Sequence, residues 1–176
     1  MSASTSAGPP GAVEAVVFDL DGVLVDTEPV HLAATRALIA PAELTDEVYE
    51  QFIGTGGFDQ WLAATYEITV EEIHERHSGL VLEALERAGL GPIDGAVELL
   101  EAIGERGIAL AVASQSSRGT VESTLRTVGL ARYFPVIVTA GEAGRDKPAP
   151  DVYLLAAERL GVAPAACIAV EDSVHG

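Results

Sequence analysis

A single cysteine, Cys167, stands among 176 residues. One thiol can form neither an internal disulfide nor a multi-cysteine zinc site, and its place in an apolar run predicts a small buried hydrophobe. Basic residues are scarce too: ten Lys and Arg face twenty-seven Asp and Glu, for a formal charge of −17. Such a surface repels phosphate backbones and anionic headgroups, which argues against nucleic acid or a membrane as the main partner. A small anionic substrate would have to be drawn by local groups and a cation. No apolar run approaches the ~20 residues of a membrane helix. The opening MSASTSAGPPGA lacks the basic start and continuous apolar segment of a signal peptide, so residues 1–12 read as a flexible tail and the expected location is cytoplasmic.

What is present is a core. The chain is 48% hydrophobic and 21% charged, a globular balance, and its length suits one domain or a core with a small insertion. The most informative stretch runs from Val16 to Glu28. Ala15-Val-Val-Phe18 leads straight into Asp19, and a second carboxylate follows at Asp21. The pattern predicts a buried strand that delivers two acids to its carboxyl end, where ligands of parallel sheets sit. Gly22 then allows a tight turn. The same spacing also suits an ordinary Asx turn, so it does not decide the matter alone.

After this stretch the chain turns helical. Thr27 is a candidate N-cap, with Glu28 and Pro29 in the first turn and apolar residues at Leu32, Leu38 and Ile39. Pro41 closes that helix, Thr45 begins another, and Gly54-Thr-Gly-Gly57 breaks the chain. Phe58 to Tyr66 and Val70 to Ala88 supply two more amphipathic helices, with Trp61 and Tyr66 expected in their core. From Ile93 helices and strands alternate: helix 96–105, strand 108–113, helix 121–128, strand 136–138, helix 151–160 and strand 166–170. That alternation predicts an α/β fold with a doubly wound, Rossmann-like parallel sheet. The core would comprise residues 13–26 and 92–176, interrupted by a helical cap over 27–91.

Each strand end or following loop carries a polar group: Asp19 and Asp21, then Ser114, then Lys147, then Glu171 with Asp172. A lone Ser after a strand is usually a turn residue, and a lone Lys before Pro is usually solvated. Four such groups at successive strand ends would converge on one crevice, which favours a functional site.

The string FDLDGVLVDTE at residues 18–28 resembles the first motif of the haloacid dehalogenase superfamily, especially its phosphatases and phosphomutases with an inserted helical cap. AVASQSS around Ser114, RDKPAPD around Lys147 and AVEDS around Glu171 and Asp172 resemble the later motifs, in order, so the resemblance runs from Asp19 to Asp172. It implies Asp19 as the nucleophile toward phosphorus and Asp21 as general acid and base. It implies Mg2+ held by the Asp19 carboxylate, the Asp21 backbone carbonyl and Asp172, with Glu171 a ligand or a partner of one. Lys147 would hold Asp19 and the phosphoryl oxygens, and Ser114 would donate to a phosphoryl oxygen. The chemistry is coherent, because a phosphoester dianion repels a carboxylate until a cation and a lysine cancel the charge. An acid at position 21 favours phosphoryl transfer over dehalogenation, since a departing halide needs no proton.

The cap resembles that of the subgroup containing beta-phosphoglucomutase and phosphoglycolate phosphatase. His31 falls where the mutase has a histidine that assists its general acid, although packing or surface exposure is the commoner fate of such a residue. The mutase also grips a distal phosphate with an arginine, whereas this chain reads Gly54-Thr-Gly-Gly57-Phe. The leading expectation is therefore a magnesium-dependent phosphatase of a small phosphorylated metabolite. A phosphomutase and a shortened chain with little activity stay open beside it. Family members with this cap continue beyond the acidic motif with a helix, a fifth strand and usually a final helix. The C-terminal part of the core is thus expected to be missing, leaving the fourth strand as an exposed edge through which self-association is possible.

Overall fold

The computed structural model describes residues 12–53 and 57–173. The expected tail, apart from its last residue, lies outside the described residues, as do three residues of the glycine-rich break and residues 174–176. Four strands, β1 (Ala15–Phe18), β2 (Ala109–Ser114), β3 (Val136–Thr139) and β4 (Cys167–Val170), form one sheet in the order β3-β2-β1-β4. All pairings are parallel, with Ala15 opposite both Ala109 and Cys167, and Ala111 opposite Val136. The first strand is thus internal and covered on both faces. Its four residues are all buried, which is why it reads as an unbroken apolar run.

Helices α1 (Glu28–Ile39), α2 (Asp46–Glu50), α3 (Phe58–Tyr66) and α4 (Val70–Ala88) follow β1. The start of α4 is set by a capping box, in which the Thr69 hydroxyl accepts from the Glu72 amide and Glu72 accepts from the Thr69 amide. Leu38, Ile39, Leu44, Tyr49, Leu62 and Ile73 make a separate apolar cluster in this unit, with Trp61 and Tyr66 packed against it as the pattern predicts. A second contact joins α1 to α4 through Val30, Ala34, Val81 and Leu85.

The chain then returns through α5 (Ala96–Gly104), α6 (Arg118–Thr127), a short α7 (Ala140–Ala143) and α8 (Asp151–Leu160). One side of the sheet packs around Phe18, Leu100, Val112, Leu125 and Phe134, and the other around Val17, Ala111, Val138, Val152 and Ala156. Several element ends shift by a residue, and two larger differences have local reasons. Helix α6 begins three residues early because the Ser117 hydroxyl accepts from the Thr120 amide. The short α7 was missed; Thr139 and Glu142 form its capping box.

The fourth strand corrects one reading. Cys167 is only half-buried, and Ile168 is 47% exposed, because no described strand pairs with the outer side of β4. Among the described residues, no helix is long and apolar enough to cross a membrane.

Candidate active site

The site begins with the hydrogen-bond ladder between β1 and β4. Phe18 lies opposite Val170, and the Asp19 amide donates to the Val170 carbonyl at 2.9 Å. Asp19 and Glu171 are each one step past that pair, so the two carboxylates emerge side by side. Gly22 adds a close approach: its φ is +75°, and a Cβ there would lie 2.1 Å from Asp172 Oδ2. Only glycine accepts both the conformation and the contact. Asp19, Glu171 and Asp172 each offer an oxygen, and these lie within 4.8 Å of one another. Oxygen donors at that spacing suit a hard divalent cation.

Lys147 reaches in from the loop before α8, and 6% of its side chain is exposed. Its ammonium donates to Asp19 Oδ1 at 2.9 Å and to Glu171 Oε1. Burial pushes the Asp19 carboxyl up to about 7, although Lys147 pulls it down. Burial acts against the Lys147 charge, yet Asp19 and Glu171 raise its pKa. Glu171 is held low because Lys147 and Tyr153 outweigh its burial. Asp172 is pushed up by burial and by the neighbouring Glu171.

Asp21 has different company. Thr27 Oγ1 donates to its Oδ1 at 2.6 Å, while the hydroxyls of Ser114 and Ser116 donate to Oδ2 at 3.3 and 3.2 Å. The His31 Nε2 lies 3.7 Å from Oδ1. Burial raises the pKa of Asp21, but His31, Thr27 and Ser116 together bring it below the usual value. His31 shifts the other way: burial lowers it, and Asp21 outweighs that effect. The ring of His31 stacks on His77 at 5.7 Å. The Thr35 hydroxyl donates to the His31 carbonyl and so accepts from His77 Nε2 at 3.3 Å. A cavity of about 120 Å³ opens beside the rings, with Tyr49, Phe58 and Asp59 among its other walls.

All six residues singled out from the sequence thus meet at the carboxyl ends of the strands. Two details differ from the expectations. Thr27 occupies the N-cap position of α1 but makes no capping bond: its backbone is helical (φ −95°, ψ −8°) rather than extended, and its hydroxyl donates to Asp21. Ser114 is fully buried, with its hydroxyl also turned to Asp21 and its Oγ accepting from the Ser116 amide at 3.0 Å. Sequence reasoning missed Ser116, Tyr153 and His77. The repeated serine in AVASQSS was a signal for Ser116, since residues two apart near a strand end can share one side. Tyr153 and His77 sit in helices, where an aromatic or imidazole ring at helical spacing reads as packing.

The haloacid dehalogenase-like hydrolase family model matches residues 13–176. Protein CbbY of Rhodobacter capsulatus is 31% identical over 179 residues, spanning 93% of this chain and 79% of that protein. Fructose-1-phosphate phosphatase YqaB of Escherichia coli K12 is 30% identical over 167 residues, spanning 92% of this chain and 87% of that protein. Among solved structures, a CbbY variant from Rhodobacter sphaeroides in complex with xylulose-1,5-bisphosphate superposes with a TM-score of 0.81 at 27% identity, covering 93% of this chain and 80% of that one. With the family model spanning both the strand-end acids and the lysine that joins them, the chain belongs to the haloacid dehalogenase-like hydrolases.

Proposed function

We propose that the protein is a magnesium-dependent phosphatase of a small phosphorylated sugar or related metabolite, acting through an aspartyl phosphate on Asp19. The observation that carries this reading is Lys147 bridging Asp19 and Glu171 beside a third carboxylate, Asp172, within ion-binding distance. Residues 27–91 form the cap in this reading, and 13–26 with 92–176 form the core.

Asp19, fixed by β1, is the nucleophile, and its oxygen bonds to phosphorus as the ester oxygen departs. Asp21 gives its proton to that oxygen, then takes one from the water that cleaves the acyl phosphate. Lys147 keeps Asp19 oriented and neutralises phosphoryl charge. Asp19, Asp172 and the Asp21 carbonyl would hold the ion. A bound magnesium ion would cancel further phosphoryl charge and draw Asp19, otherwise near 7, into its ionised form. Phosphoryl negative charge beside Asp21 opposes the depression by His31 and favours the protonated acid. In this reading the Ser114 and Ser116 hydroxyls would donate to a phosphoryl oxygen in place of Asp21.

Similarity to YqaB and CbbY supports a sugar phosphate as the substrate class. The cavity beside His31 includes Asp59 and no lysine or arginine among its described walls, which suits hydroxyl groups better than a second phosphate. The outer side of β4, which no described strand covers, is also a surface through which two copies could pair.

The test is phosphate release from p-nitrophenyl phosphate with magnesium and with chelator, followed by a screen of sugar monophosphates and bisphosphates. The expected result is metal-dependent turnover, highest on a sugar monophosphate. Turnover unchanged by chelator would overturn the metal-dependent reading.

A further inference from the structure

Glu171 is the one acid of the cluster whose acceptor positions are already filled. Its Oε1 accepts from Lys147 Nζ and from the Tyr153 hydroxyl at 2.7 Å. Its Oε2 accepts from the backbone amides of Asp172 and Ser173, at 3.1 and 3.4 Å. An ionised carboxylate offers about four lone-pair sites, and four donors are present. Asp19 and Asp172 are different. Asp19 has Lys147 on one oxygen, and the Asp172 side chain meets the Glu171 carboxylate. The Tyr153 ring also lies against the Lys147 ammonium, 5.1 Å from Nζ to the ring centre. One tyrosine on the first turn of α8 therefore touches both halves of the Lys147–Glu171 pair.

We propose that Tyr153 is a positioning residue and that Glu171 is the anchor it secures, rather than a metal ligand. Tyr153, Lys147 and two amides saturate Glu171. The saturated carboxylate fixes the lysine against Asp19 and holds the loop that presents Asp172. Two effects combine in Tyr153: the hydroxyl orients the carboxylate, and the ring face confines the ammonium. This assignment rests on the proposed phosphoryl site but not on its turnover, so it can be tested by binding alone.

The experiment titrates Mg2+ into the intact protein by calorimetry, then inorganic phosphate in its presence, for wild type, Tyr153→Phe, Glu171→Gln, the double variant and Asp172→Ala. Tyr153→Phe keeps the ring and removes one hydrogen bond, so the melting temperature should stay near wild type. Its phosphate affinity should fall about tenfold, in the range expected when a partner that orients a site residue is removed. The double variant should bind phosphate no more weakly than Glu171→Gln alone, because the hydroxyl acts through the carboxylate. Magnesium affinity should fall far less in Glu171→Gln than in Asp172→Ala. Wild-type phosphate affinity in Tyr153→Phe, or additive losses in the double variant, would overturn the positioning role. Loss of magnesium binding in Glu171→Gln equal to that in Asp172→Ala would make Glu171 a ligand and overturn the anchor. An inactive wild type that still shows this binding pattern would defeat the phosphatase reading and leave the anchor standing.

Discussion

Two charge clusters in this molecule combine acidic and basic groups in opposite proportions. At the strand ends, Asp19, Glu171 and Asp172 gather beside one ammonium, Lys147. On α7, one carboxylate, Glu142, receives two guanidinium groups, Arg118 at 2.6 Å and Arg159 at 3.0 Å. Both arginines also donate to the Ile137 carbonyl, and the Thr139 amide and hydroxyl donate to Glu142 as well. Burial works against the Glu142 charge, yet Arg159 and Arg118 hold its carboxyl down at about 2, whereas Asp19 is pushed up to about 7. The Glu142 cluster ties β3 to α6, α7 and α8. The strand-end cluster, left with surplus carboxylate, stays ready for a cation from outside.

Substitutions can sharpen that contrast, and the largest effect is expected at Asp19, the proposed nucleophile. Asp19→Asn should lower turnover by roughly 10⁴-fold or more, and Asp21→Asn by about 10²- to 10⁴-fold. Both should remain folded, which circular dichroism would check beside a phosphate-release assay. Near wild-type turnover in Asp19→Asn would end the distinction between the clusters.

Next in size is the glycine that lets two loops touch. Alanine at position 22 would put a Cβ 2.1 Å from Asp172 Oδ2 on a backbone with φ of +75°. Asp172 has to shift, and a displacement of that order is expected to cost about 10²-fold in turnover. Magnesium affinity should fall with it. Calorimetry on Gly22→Ala would show the idea wrong if the metal bound as in wild type.

The smallest effect separates the clusters by pH. Glu142 has its folded pKa depressed from 4.5 to about 2, so its contribution to stability is present above about 4.5 and is lost as pH falls toward 2. Asp19 has its pKa raised from 3.8 to about 7, so in chelator its contribution is full below 3.8 and is lost as pH rises through 7. Glu142→Gln should flatten the acid limb of a stability-versus-pH curve, cost roughly 1 kcal/mol at neutral pH, and leave turnover unchanged. Asp19→Asn should flatten the other limb. Urea titrations between pH 3 and 8 measure both, and identical curves for the two variants would abolish the comparison.

The parallel sheet and the six candidate residues were legible because they rest on short-range facts. An apolar run ending in an acid, and a helix between successive runs, fix element type and place the polar groups at strand ends. Partnerships were harder to read. Thr27 looks like a cap because a hydroxyl before Glu-Pro normally serves the helix amides, and only the turn at Gly22 brings Asp21 close enough to claim it. Tyr153 reads as core filling until the strand order sets β4 next to β1 and carries Glu171 into its reach. The half-burial of Cys167 likewise depends on which strand lies at the edge, a matter decided by pairing across more than 140 residues of chain.

The internal position of β1 carries a consequence for how the protein fails. Asp19 is not on a loop that can open by itself: its amide is locked to Val170, and the strand behind it pairs on both sides. Its amide proton should therefore exchange with deuterium among the slowest in the chain, at a rate set by opening of the whole sheet. Amides of the helical unit, with its own smaller core, can exchange by a local route. The proposed nucleophile is thus carried by the part of the molecule expected to be last to let solvent in.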